Sequence, residues 1–155
     1  MKPYRLQEVR LSLVRSDRPT FEVSSPEQVA AAFADLAHEV RESLYAVYLS
    51  GSNKILGVEQ VSTGSIGQTV AEPAEILRSA LLIGCRALLL VHNHISDNPT
   101  PSANDRSVTA AVSKTARLFG IDLLDHIIVG HGGTYFSFKQ HGLMPRRNTH
   151  QADAA

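Results

Sequence analysis

The sequence predicts an α/β domain in which a mixed β-sheet is flanked by three helices. Three observations lead there. Short apolar runs such as SLYAVYLS and RALLLVHNH read as buried strands. Longer stretches between the strands carry helical spacing with recognisable start and stop signals. The tight turn GSNK folds one strand candidate back onto the next, ILGVEQVS, as a hairpin.

The elements follow in order. In YRLQEVRLSLVR, Leu6, Val9, Leu11 and Leu13 alternate loosely and read as an edge strand, which leaves a homodimer open through strand pairing. SSPEQVAAAFADLAHEV is a helix: Ser25 can cap it, Pro26 suits its first position, and Val29, Phe33, Leu36 and Val40 form one stripe. The hairpin comes next, and then the loop TGSIGQT. Its Gly64 and Gly67 would let a substrate backbone approach, although an ordinary loop explains them equally well. EPAEILRSALLIG is a second helix, with Pro73 near its start and Gly84 at its end. After the strand RALLLVHNH comes a third helix, SANDRSVTAAVSKTARLFG, with Val108, Val112, Thr115 and Leu118 inward and Gly120 closing it. IDLLDHIIVG and TYFSFK are strands joined by the turn HGG. RRNTHQADAA carries no apolar pattern, so one domain over residues 1–143 with a frayed tail over 144–155 is expected.

Composition narrows the function classes. The chain has 155 residues, 43% of them hydrophobic, which suits one globular domain with a real core. Its apolar runs are too short to span a bilayer. Its first residues lack the apolar segment of a signal peptide. With Cys85 the lone cysteine, no intramolecular disulfide framework exists, and a cytoplasmic setting is expected. Fifteen basic and fifteen acidic residues give a formal charge of zero and no electrostatic case for direct nucleic-acid binding. Arg5, Arg10, Arg15 and Arg18 are candidates for a local basic patch.

The chemistry concentrates where the strand RALLLVHNH ends. Alternate residues on a strand point the same way, so His92 and His94 face one side with Cα atoms roughly 6–7 Å apart. That spacing lets two imidazoles converge on one ion. The place is right as well, since active groups in α/β sheets gather beyond the C-terminal ends of strands. A hydrolytic zinc needs three protein ligands and an open position. Asp105 can be the third ligand: with Ser102 as N-cap it stands at the third helical position, where the helix dipole favours a carboxylate. Ser102 and Asp105 also match an ordinary capping box, which needs no metal.

His92-x-His94, seven residues, Ser102, two residues and Asp105 match the JAMM signature of MPN-domain metalloproteases. The segment HNHISDNPTPSAND is similar to the HNHPSGNPxPSxxD of RadC-like proteins, and RESLYAVYLSGSNKILGVEQVSTGS and LLDHIIVG…YFSFKQHGL resemble their flanking segments. The resemblance covers about residues 5–143, without the helix-hairpin-helix portion that precedes this domain in full-length RadC proteins. It implies the MPN/JAMM fold, whose layout is similar to that of cytidine deaminases. It implies one Zn²⁺ held by His92, His94 and Asp105, an oxyanion-stabilising role for Ser102, and a glutamate as general base, at the position of Glu42. Chemistry asks for such a base, because a carboxylate beside the attacking water must carry its proton to the leaving amine. The residues alone do not choose Glu42 over Glu39, Glu59, Glu72 or Glu75. Two departures touch the loop: Ile95 stands for a proline and Asp97 for a glycine.

Other residues have plainer readings. Asp125 and His126 are a buried polar pair with a structural hydrogen-bond role, a place behind the metal ligands or a role toward substrate. Asn93 points away from the metal and pins the loop backbone. Cys85 is a core thiol, and His131 and His141 are solvated. HNH as a tripeptide on a buried strand is not the nuclease motif of that name. The expected function is a zinc-dependent hydrolase of an amide bond in a peptide or protein substrate. The competing reading is a metal-stabilised, non-catalytic binding module in DNA repair or mobile elements. A zinc deaminase is disfavoured, since the expected cysteine pair is missing.

Overall fold

Ser43–Leu49 carries almost nothing but apolar side chains and forms strand β1, buried along nearly its whole length. Asn53, with φ 59°, takes the left-handed conformation that the following turn requires, which asparagine tolerates better than most residues. The chain returns as β2 (Ile55–Thr63), antiparallel to β1. The computed structural model describes residues 12–14, 17, 18, 20–63, 72–96 and 98–146.

On its other edge β1 pairs antiparallel with β3 (Ala87–Asn93), and β3 pairs parallel with β4 (Asp122–Val129). A parallel pair needs a crossover, supplied here by helix α3 (Ala103–Leu118). β5 (Tyr135–Ser137) closes the sheet antiparallel to β4, giving the order β2-β1-β3-β4-β5. The mixed sheet with three helices expected from the sequence is the observed architecture.

Every residue of β3 is buried, because both faces of the sheet are covered. On one face Leu88 and Leu90 pack with Ile76 and Ala80 of α2 (Pro73–Ile83) and with Val112 and Ala116 of α3. On the other, Leu89 and Val91 meet Val29 of α1 (Pro26–Ala32) and the following Phe33 and Leu36. Each of the larger of these side chains, the leucines, valines, isoleucine and phenylalanine, contributes about 1.5–3 kcal/mol on burial. Alternation along β3 therefore sends His92 toward α3 and Asn93 toward the opposite layer.

A bulge sets the phase of β4. Leu88 pairs with Leu123, but Leu89 pairs with Asp125, so Leu124 is an extra residue without a partner on β3. Beyond it Leu90 faces His126 and Leu89 faces Asp125.

Several expectations are corrected in detail. The first helix is not continuous to Val40. It breaks at Phe33 into a 3₁₀ turn, Ala34–His38, whose tighter winding carries later residues off the stripe, and Val40 is 87% exposed. On α3 the buried stripe is Thr109, Val112, Ser113 and Ala116, so Thr115 is only partly buried and Leu118 faces solvent. β5 is three residues long, and Phe138 already starts a turn. Met144 packs against the core, and Arg117 donates to the carbonyls of Pro145 and Arg146. Residues 147–155 lie outside the described residues, as do Arg5, Arg10, Arg15, Gly64, Gly67 and most of the expected N-terminal edge strand. Ser12–Val14 of that stretch are not in a strand. Arg18 serves the fold: it makes two 2.9 Å bonds to Asp35 and lies over the Phe33 ring. Among the described residues no helix is long and apolar enough to cross a membrane.

Candidate metal centre

His92 is the penultimate residue of β3, and His94 follows the strand directly. Ser102 caps α3: its hydroxyl accepts from the Asp105 N–H, while the Asp105 carboxylate accepts from the Ser102 N–H at 2.7 Å. This capping box turns the carboxylate toward the strand end. The structural and the functional readings of the Ser102–Asp105 pair are therefore one geometry, since the cap is what aims the carboxylate.

His92 Nε2 lies 3.3 Å from Asp105 Oδ1, and His94 Nε2 lies 3.2 Å from Asp105 Oδ2. The three residues offer ligand atoms that all lie within 4.8 Å of one another. His94 Nδ1 is 3.0 Å from the Asn98 carbonyl, which can only accept, so Nδ1 carries a proton. Nε2, 3.2 Å from Asp105 Oδ2, is then the nitrogen left for an ion, in place of the hydrogen it would share with the carboxylate. Imidazole nitrogen and carboxylate oxygen are the donors that divalent zinc prefers, and the set fits a metal ion.

Burial pulls the His92 imidazole down to about 4, against the attraction of Asp105. Burial also pulls on His94, but its bonds to Asp105 and Asn98 outweigh that and raise it. Burial would raise the Asp105 carboxyl, yet His94, His92 and Ser102 together hold it well below the usual carboxylate range. Asp105 is thus an ionised anion between two rings.

A cavity of about 170 Å³ opens on these ligands, and Glu42, Leu44, Ser102 and Val108 help to line it. Glu42 is the last residue before β1 and is not part of the ligand group. Among the glutamates left open by the sequence, Glu39 accepts from Ser43 Oγ, and Glu59 accepts from Tyr48 Oη at 2.6 Å beside a larger cavity against β2. Glu72 precedes α2, and Glu75 lies in its first turn; neither borders the metal cavity.

Asn93 braces Glu42 from behind. Its side-chain oxygen accepts from the Ser43 N–H at 2.8 Å, and its amide donates to the Arg41 carbonyl at 2.9 Å. One buried amide thus grips the backbone on both sides of Glu42. Asn93→Ala removes both bonds, and an expected loss of about 2–4 kcal/mol of stability would be read by urea unfolding. A loss under about 1 kcal/mol would mean that water replaces the amide.

Asp125 and His126 part company. His126 faces α3 and stands 2.8 Å from His92 Nδ1. Asp125 faces the other layer and accepts from the N–H groups of His126 and Lys139 and from Ser137 Oγ. Burial pushes its carboxyl up, against those three bonds. Thr109, which bonds His126 at 2.7 Å, is not among the residues singled out above; its signal in the sequence is a polar residue on the inward stripe of α3. Asp97 lies outside the described residues, and Ile95 is partly exposed at the loop. Cys85 is buried, His141 stacks on Phe136, and His131 packs edge-on against His38.

The RadC-like JAB domain family model matches residues 23–143. A UPF0758 protein from Symbiobacterium thermophilum is 38% identical over 70% of this chain and 46% of its own length. UPF0758 proteins from Methanosarcina mazei and Aquifex aeolicus are 36% and 34% identical over 83% and 79% of this chain, and 56% and 52% of theirs. The chain spans about half the length of the curated relatives it matches. The family match takes in every strand, the ligand-bearing loop and all three helices, and on that ground this chain belongs to the RadC-like JAB domain family.

Proposed function

We propose that this domain is a zinc-dependent hydrolase acting on an amide bond, peptide or isopeptide, of a protein or peptide substrate. The observation that carries the reading is the convergence of His92, His94 and Asp105 on one point of a cavity that Glu42 also lines. The three would hold Zn²⁺, which when bound lowers the pKa of water to about 7 and polarises a carbonyl.

The chain's own groups do the rest. The Glu42 carboxylate takes the proton of the attacking water and delivers it to the leaving amine nitrogen. Ser102 Oγ donates at 2.7 Å to Asp105 Oδ2, an oxygen that also accepts from the Ser102 N–H. Rotation about the side chain frees the hydroxyl to donate to a developing oxyanion while the backbone bond keeps Asp105 aimed. Leu44 and Val108 give the cavity apolar walls that limit water around the reacting bond.

Glu42→Gln is the decisive variant. It keeps the shape and the zinc content and removes the proton carrier, so turnover on peptide and isopeptide libraries should fall about 10²–10⁴-fold. Equal cleavage by the wild type and by Glu42→Gln would remove Glu42 from the reaction.

A further inference from the structure

Thr109 is fully buried on α3, one helical turn beyond Asp105. Its Oγ1 lies 2.6 Å from the Asp105 carbonyl oxygen and 2.7 Å from His126 Nδ1. A hydroxyl has one proton. The carbonyl can only accept, so that proton belongs to the Asp105 carbonyl, and Oγ1 turns a lone pair to His126. His126 Nδ1 must therefore carry a hydrogen. In the neutral ring, with its one hydrogen on Nδ1, Nε2 is bare. That bare nitrogen is 2.8 Å from His92 Nδ1, which must then be the donor. His92, neutral too, is left with an unprotonated Nε2, and it points at Asp105 Oδ1. Phe138, stacked on His126 at 4.9 Å and 14°, holds that ring in the plane the relay needs.

We propose that Thr109, acting through His126, is a positioning residue of the metal centre, fixing His92 in the tautomer whose Nε2 lone pair is offered to the ion. Three hydrogens point one way, from His92 to His126, to Thr109, to the Asp105 carbonyl. The relay starts and ends on two of the three ligand residues, so the helix turn that supplies the carboxylate also sets the imidazole. It leaves His92 Nε2 and Asp105 Oδ1 as two acceptors facing each other at 3.3 Å, an arrangement that a metal ion between them would reconcile.

The inference rests on the metal reading above, and its test separates the two. Long-range ¹H–¹⁵N spectra of the metal-free wild type, taken at a pH above the imidazole range, should show the Nδ1–H tautomer for both His92 and His126. Zinc affinity, measured by chelator competition, should fall about 10–100-fold in Thr109→Val and stay near wild type in Thr109→Ser, which keeps the hydroxyl. In Thr109→Val the His92 spectrum should also gain an Nε2–H form. A wild-type His92 protonated on Nε2 overturns the relay whatever the zinc result. Equal zinc affinity in wild type and a folded Thr109→Val overturns it as well. A wild type that takes up no zinc overturns the metal reading, while the tautomers still decide the relay.

Discussion

Replacing His92 and His94 together by alanine should abolish zinc binding. The wild type should take up about one zinc per chain, and the double variant none above background. Asp105 is then all that is left of the ligand group, and a lone carboxylate does not hold a transition metal against solvent. A second readout comes from linkage. An ion that binds only the folded state stabilises it by about 2.7 kcal/mol at a free concentration a hundred times Kd. Thermal unfolding with and without added zinc should therefore differ for the wild type and coincide for the double variant. Unchanged zinc content in the double variant would sink the ligand assignment and the proposed chemistry with it.

The second large effect belongs to Asp125 and concerns stability, not metal. Its carboxylate is the common acceptor for the His126 N–H, the Lys139 N–H and the Ser137 hydroxyl, at 2.8, 2.9 and 2.5 Å. Alanine leaves all three donors without it in a buried place. About 3–5 kcal/mol of stability should be lost, a large share of the 5–15 kcal/mol that a domain of this kind has in total. Asp125→Asn keeps an acceptor oxygen and should lose less. Urea unfolding measures both, and zinc content in the folded fraction should stay near one per chain. A loss below about 1 kcal/mol for Asp125→Ala would show that the network is replaceable by water. Loss of zinc from well-folded protein would instead give Asp125 a role at the ligands that its orientation denies.

The ligand-bearing part of the site was legible because it is local. β3 is an apolar run that stops at His92, strand alternation aligns His92 with His94, and the Ser102–Asp105 spacing is a helix start whatever else it does. Glu42 was not legible from the residues themselves, since its place depends on β1 pairing with β3 and on the two bonds from Asn93, a contact across about fifty residues. The break after α1 escaped the periodicity, because a 3₁₀ turn keeps Leu36 buried while releasing Val40. Thr109 escaped because the inward stripe read from the sequence runs through Val108 and Thr115, whereas the buried face of α3 carries Thr109, Val112, Ser113 and Ala116.

The unpartnered Leu124 gives the dipeptide after it a meaning that composition cannot express. Counted without the bulge, an aspartate would stand behind His92 and a histidine would meet the hydroxyl and the amides around Ser137, where an acceptor for three donors is needed. Inserted residue and letter order are thus a single specification. Asp-His suits a strand with the extra residue, and the same two letters reversed would suit only a strand without it. A length change inside β4 is therefore a change of chemistry on both sides of the sheet at once.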